Sequence, residues 1–467
     1  MKVNQLVIQN FRGIEDLTLD FGDRNLIVLI GINGSGKSSI LDCLAILLSW
    51  LIAKIQFPKR IRSSVLTSLR GEKNPSDGNY LSEQDIKNQT DRTFCKIIIS
   101  LDGSEFYDWN ISKERTDNSD KAKIDESKSL YRIGNKIHNE LQNNALFDVP
   151  LAVYYPVKRT VEEISLKAKE KYVFKQTEAY DGALEGVQIS FKNFFEWFRT
   201  IEDWENEKRR DDFNYIDKQL EAVRKSIYSL LGEDFSDLRV RRNPLVMTVK
   251  KQNEELIVNQ LSDGEKSLLA MTGDLARRLA IANPSLSDPC QASAVVLIDE
   301  IEQHLHPSWQ RKIIPALRRT FPNCQFIITT HSPQVLSQVH KEDIFVLDCS
   351  LGSAMSHAPH NPSSIPDYPP APSGSQTMPY RRDGTASSSE DKLLDLCIRA
   401  VEAKLLYYCG QSTPYPSIDF SKSTDTIPAI APTPAKPWVV RAKHDGEEQY
   451  FTADELRTYL TDLLRNN

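Results

Sequence analysis

Apolar residues along the chain fall into short runs separated by polar punctuation. Leu6-Val7-Ile8-Gln9-Asn10-Phe11-Arg12-Gly13-Ile14 and Leu17-Thr18-Leu19-Asp20-Phe21 predict two short strands joined by a turn. Leu26 to Ile30, Val149 to Tyr155, Ser293 to Ile298 and Cys324 to Thr330 predict four more, and the run ending in Asp299 reads as a buried parallel strand. Phe94 to Leu101 and Phe106 to Ile111 predict a strand pair around the hairpin-type turn Asp102-Gly103. Lys54 to Asp91 is polar and irregular and predicts loops over the site described below, whereas Thr116 to Asn144 predicts a loop with some helix. From Phe191 to Leu231 the pattern turns helical. Phe213, Ile216, Leu220, Val223, Ile227 and Leu230 alternate spacings of three and four, a short heptad seam that serves either as a packed surface face or as an oligomer contact. Leu238 to Val240, Leu245 to Val249 and Leu256 to Val258 resume strands, and Ser267 to Ala282 predicts a helix.

Beyond Cys349 the pattern dissolves. Residues 351–390 are rich in Ser, Pro, Gly and Ala and read as a linker. A helix from Asp391 to Tyr408, a second Pro/Thr/Ser stretch to Pro437, a strand at Trp438-Val439-Val440 and a helix from Ala453 to Leu464 are expected in the remainder. No internal repeat is apparent.

Composition narrows the class only modestly. A 467-residue chain with 40% hydrophobic and 26% charged residues has the make-up of a soluble protein large enough for more than one domain. The net charge of −6 gives nucleic acid no overall attraction, so any such contact must come from a local patch. Seven cysteines without a CxxC pair indicate neither a disulfide framework nor a zinc site. Met1 to Gln5 lacks an apolar signal region, so a cytoplasmic protein with no membrane partner is expected. Ile40 to Ile55 is interrupted by Asp42, Ser49 and Lys54, leaving an apolar part too short for a bilayer.

Chemistry enters at Gly31-Ile32-Asn33-Gly34-Ser35-Gly36-Lys37-Ser38, a P-loop with a strand before it and a helix after it. Glycines let successive N–H groups and a helix N-terminus wrap a phosphate. Asn33, Gly34, Ser35, Gly36, Lys37, Ser38 and Ser39 are therefore candidate ATP-binding residues, with Lys37 on the β- and γ-phosphates and Ser38 on Mg²⁺. Leu261-Ser262-Asp263-Gly264-Glu265 opens a helix and offers an anion a hydroxyl, a close backbone and a positive helix end, although Ser262 and Glu265 also satisfy a capping box. Asp299, at the end of its strand, suits a metal shell, and Glu300 beside it suits a general base. His331 closes another strand, where an imidazole can bond a γ-phosphate. His304 and His306 lack Cys or acidic partners at ligand spacing, so a metal site there is not expected.

The P-loop, Leu261 to Glu265, Asp299-Glu300 and His331 occur in the order of the ABC-type ATPases, and the chain resembles that family. Its opening, Ile8 to Ile14, is similar to the SMC, RecF and OLD branch, which implies that Arg12 lies near the nucleotide phosphates. Asp299-Glu300-Ile301-Glu302, Leu305-His306-Pro307 and Thr330-His331-Ser332-Pro333-Gln334 are typical of bacterial defence ATPases of this branch. No hook, long coiled coil, acid followed by Asp-x-Asp, or His-Asn-His signature is present. With Val153 to Val157 and Asn259 to Lys266, these features resemble the PtuA family of Septu-type and retron-associated anti-phage systems.

The resemblance implies an α/β fold: an ABC-type P-loop head, a mixed sheet with flanking helices, carrying a helical insertion and a C-terminal extension. The expected division is a head over residues 1–350 with its insertion at 160–235, a linker at 351–390 and an interaction region at 391–467. It also implies ATP hydrolysis with Mg²⁺, homo-oligomers in which Ser262, Asp263, Gly264 and Glu265 act in trans, a separate HNH nuclease, and nucleic acid reached through the complex. A PARIS AriA-like ATPase with a Toprim effector and a RecF-like repair ATPase are the alternatives.

Overall fold

The computed structural model describes residues 1–57, 78–101, 103, 105–115, 123–125, 128–144, 146–157, 174–186, 189, 191–347, 354–356, 418–419, 439–444 and 447–452. Strands β1 (Lys2–Phe11), β2 (Ile14–Asp20), β4 (Arg92–Ser100), β5 (Phe106–Glu114) and β6 (Lys123–Asp125) form an antiparallel sheet in the order β2-β1-β4-β5-β6. A second sheet runs β14-β13-β3-β12-β11-β7, comprising β3 (Leu26–Gly31), β7 (Leu151–Tyr155), β11 (Ala294–Ile298), β12 (Gln325–Thr329), β13 (Ile344–Leu347) and β14 (Ala354–Ser356). Its central strands β3, β12, β11 and β7 are parallel, and every residue in them is buried, as expected for strands covered on both faces.

Helix α1 (Lys37–Gln56) lies between the sheets, touching β4 on one side and β7, β11 and β12 on the other. It is long and apolar enough to cross a membrane by composition, contrary to the expectation from sequence, yet 67% of its most apolar window is buried inside the protein. Gln325 binds the sheets together directly, accepting from Val3 N–H at 2.7 Å and donating to the Val3 carbonyl at 2.9 Å.

The polar segment expected to be mostly loop carries a full helix, α2 (Lys128–Asn143), which buries Leu130, Ile133 and Ile137 on one face. The expected heptad seam is broken. α3 (Phe191–Lys208) and α4 (Lys218–Leu231) are separate helices, and Phe213 and Ile216 lie between them, 89% and 52% exposed. Asp217 is the reason: its carboxylate accepts from Leu220 N–H at 3.0 Å and restarts the helix there. Leu220, Val223, Ile227 and Leu230 are buried as their spacing requires.

Strands β8 (Phe235–Arg242), β9 (Leu245–Lys251) and β10 (Glu254–Ile257) make a small antiparallel sheet that feeds α5 (Asp263–Ala282). α5 is buried over nearly its whole circumference, and its Asp274, Arg277 and Arg278 form a buried ion-pair cluster with the Tyr155 hydroxyl. α6 (Pro307–Thr320) follows β11. Farther along, β15 (Ile418–Asp419), β16 (Val439–His444) and β17 (Glu447–Thr452) pair with one another in a separate three-stranded sheet. The helices expected at 391–408 and 453–464 lie outside the described residues, as does the linker expected at 351–390 except for Ala354–Ser356, which pairs with β13 as strand β14.

Candidate nucleotide site

Parallel pairing sets the site. Because Ile298 pairs with Ile328, and Leu29 with Thr329, the C-terminal ends of β11, β12 and β3 reach one sheet edge together. β3 delivers the P-loop there, β11 delivers Asp299 and Glu300, and β12 delivers Thr330 and His331. Ligands of open parallel sheets bind at this edge.

In the P-loop, Gly34 and Gly36 have φ of 83° and 91°, the left-handed region that side chains resist. A Cβ on Gly36 would also stand 3.1 Å from the Ile14 side chain, a tight contact that Ile14 would have to yield to, so the left-handed conformation is the main reason for glycine there. Asn33, Gly34 and Ser38 are exposed, Ser35, Gly36 and Ser39 are half-buried, and Lys37 is buried with its amine 3.5 Å from the Ser35 hydroxyl. A turn of backbone donors with a lysine, and a serine hydroxyl in the first helical turn, match the donor set of a Mg²⁺-triphosphate.

Asp299 is 3% exposed, and its carboxylate accepts from the Thr329 hydroxyl at 2.5 Å. The same hydroxyl accepts from Glu300 N–H at 2.7 Å, so Thr329 fixes both acids from the next strand. Glu300 itself sits at φ 44°, a left-handed conformation unusual for a non-glycine residue. Glu302 then reaches across, accepting from His331 N–H at 2.6 Å and from the Thr330 hydroxyl at 2.7 Å. The acids after β11 and the histidine after β12 are thereby locked into one frame. His306 caps α6, its Nδ1 accepting from Ser308 N–H at 3.3 Å and bonding the Ser308 hydroxyl at 2.8 Å.

Arg12 stands between two carboxylates, Asp42 of α1 at 2.5 Å and Asp85 at 2.9 Å. Burial lowers the guanidinium pKa, but Asp42 and Asp85 outweigh it and leave the pKa above its ordinary value. The Tyr154 hydroxyl donates to the other oxygen of Asp42 at 2.8 Å. Burial, reinforced by Asp42 and Asp299, pushes that phenol well above its usual range, so it stays protonated. Sequence reasoning missed Asp42, Asp85, Tyr154, Thr329 and Glu302. Thr329 and Glu302 act between the ends of β11 and β12, where strand register could have pointed to them, whereas Asp42, Asp85 and Tyr154 reach Arg12 or one another only through tertiary packing.

The residues Ser262 to Glu265 lie at the start of α5, and their hydrogen bonds run to β9 and within the cap, not to the sheet edge. Ser262 N–H and hydroxyl donate to one Glu265 oxygen at 2.9 and 2.8 Å, completing the capping box, while Lys251 donates to the other at 2.7 Å. Burial pushes the Glu265 carboxyl up, yet Lys251 and the Ser262 donors more than offset this and hold it below the ordinary value. Gly264 packs on the chain after β11: a Cβ there would stand 2.5 Å from the His304 carbonyl oxygen.

A family model described as "AAA domain, putative AbiEii toxin, Type IV TA system" matches residues 26–337. A retron Vc95 probable ATPase of Vibrio cholerae is 30% identical over 401 residues, covering 74% of this chain and 74% of its own. A retron Ec83 probable ATPase of Escherichia coli is 30% identical over 414 residues, covering 74% of this chain and 71% of its own. A Septu protein PtuA of Bacillus thuringiensis is 23% identical over 364 residues, covering 74% and 75% respectively.

Proposed function

This chain belongs to the AAA-domain family that matches its residues 26–337, and on that premise we propose that it is the nucleotide-dependent sensor and regulatory subunit of an anti-phage defence complex. It is an ATPase, and the order of its motifs supports reading it as an ABC-type one of the SMC/RecF branch. The effector in this reading is a separate HNH-type nuclease, as in the PtuA family, and nucleic acid is engaged through the complex in the cytoplasm. The observation that carries the proposal is the match along about three quarters of both chains to two retron ATPases and a Septu protein.

Residue roles follow the donor chemistry. Lys37 and the backbone N–H groups from Gly34 to Ser39 hold the β- and γ-phosphates, with Asn33 and Arg12 beside them. Ser38 and Asp299 would hold Mg²⁺, which when bound neutralises phosphate charge. Glu300 takes a proton from the attacking water, and His331 bonds the γ-phosphate oxygen. Ser262 and Gly264 of a second copy complete the site, with Asp263 and Glu265 shaping that helix start, so paired heads are part of the mechanism.

The test is a phage challenge of cells carrying the chain with its neighbouring genes. Lys37→Ala and Ser262→Arg should each abolish protection, and affinity purification of the wild type should recover an HNH protein. Recovery of a Toprim protein would transfer the reading to an AriA-like sensor. Protection that needs no nuclease gene, or none at all with DNA-repair sensitivity instead, would favour the RecF-like alternative.

A further inference from the structure

Lys251, Glu265 and Ser262 form a continuous chain of charge-assisted hydrogen bonds from the end of β9 to the start of α5. Lys251 Nζ donates to Glu265 Oε1 at 2.7 Å, and Glu265 Oε2 accepts from the Ser262 N–H and hydroxyl at 2.9 and 2.8 Å. Glu265 is 5% exposed. The lysine amine is steadied by the Phe235 ring, 5.7 Å from its centroid, and its backbone is fixed by pairing with Phe235 and Glu254. A capping box alone needs no cation, since serine and glutamate satisfy one another's backbone donors. The lysine therefore calls for a separate reason.

That reason lies in what Ser262 must do. A hydroxyl that meets a triphosphate has to donate its single proton to a phosphate oxygen. Here that proton goes to a buried carboxylate whose negative charge would also repel the phosphate. A cation on the opposite carboxylate oxygen counters both effects: it cancels the charge and weakens the carboxylate as an acceptor for the serine. We propose that Lys251 is a positioning residue for Ser262, acting through Glu265 to free the serine hydroxyl for the nucleotide held by a second copy. The inference rests on the reading of Ser262 as a residue that acts in trans.

The experiment uses the full chain with three variants: Lys251→Met, Lys251→Arg and Ser262→Arg. Binding of a fluorescent ATP analogue is measured at protein concentrations too low for pairing, and turnover is measured across a protein titration. Lys251→Met should leave analogue affinity unchanged and lower the turnover number about tenfold, the effect of losing one charge-assisted bond. It should also raise the protein concentration for half-maximal turnover, and Lys251→Arg should restore both to within about threefold, keeping the charge if not the shape. Wild-type turnover and pairing in Lys251→Met, alongside an inactive Ser262→Arg, would overturn this inference and leave the trans reading standing. Wild-type turnover in Ser262→Arg would overturn both. A parallel loss of analogue affinity in Lys251→Met, or no rescue by arginine, would reduce Lys251 to a structural residue and overturn the inference alone.

Discussion

Lys37 offers the most direct single-residue contrast, because a hydrogen bond to a charged group contributes about 1.5–3 kcal/mol. Lys37→Ala should therefore weaken ATP binding about 10- to 150-fold, measured by calorimetry. Unchanged affinity would remove the P-loop from the nucleotide site. Glu265 gives a prediction in pH. Its folded pKa lies below the ordinary 4.5, so the stability it contributes is fully present above the unfolded value and fades as pH falls through the folded one. In denaturant titrations, Glu265→Gln should be less stable than wild type at pH 7, and the difference should shrink steadily below about pH 4.5. A difference that persists undiminished at pH 3 would show that the carboxylate charge is not what holds the cap. At this scale the sequence revealed motif residues but not their partners. Arg12 could be singled out from Ile8 to Ile14, whereas Asp42 and Asp85, which grip it, stand 30 and 73 positions away in the chain.

Helix α5 shows what element-scale reading can and cannot reach. Its end at Ala282 was legible, but its run was read from Ser267 whereas the helix begins at Asp263, directly after the Ser262 cap that the capping-box pattern also offered. That its first turn is seated on the His304 carbonyl was not legible, since tertiary contact alone puts it there. Gly264→Ala places a carbon 2.5 Å from that oxygen, so α5 must shift. The expected result is a loss of about 1–3 kcal/mol in stability, with turnover lost and nucleotide affinity retained. Thermal melts and calorimetry check both halves, and an unaltered melting temperature with full turnover would contradict the packing argument. The uninterrupted apolar strands were read correctly for a related reason: burial on both faces leaves no alternation to confuse. The heptad seam failed because spacing alone cannot see Asp217 restarting the helix, and α2 was diluted by charge until only Leu130, Ile133 and Ile137 carried its apolar face.

At the scale of the whole molecule, the parallel edge gathers Lys37, Asp299, Glu300 and His331, while Ser262 is tied to β9 through Glu265 and Lys251. Such a division suits a site completed by a second copy. The chain beyond residue 350 contributes no motif to this chemistry, and its Leu393, Leu394, Leu396, Ile398, Val401, Leu405 and Leu406 follow a helical apolar pattern suited to docking. Removing residues 391–467 should leave ATP affinity intact and abolish co-purification of the nuclease; normal recovery of the nuclease would assign docking to the head instead. The central claim, ATP hydrolysed between paired heads, meets its sharpest test in Glu300→Gln. The substitution keeps size and hydrogen-bonding reach while removing the base, a change that lowers general-base catalysis about 100- to 10,000-fold. Lys37, Ser38 and the opposing Ser262 remain, so ATP should persist at the interface. Size-exclusion chromatography with light scattering, with and without ATP and Mg²⁺, should show Glu300→Gln shifting to a larger, ATP-retaining assembly. An identical elution volume with and without nucleotide, together with wild-type hydrolysis, would contradict the account.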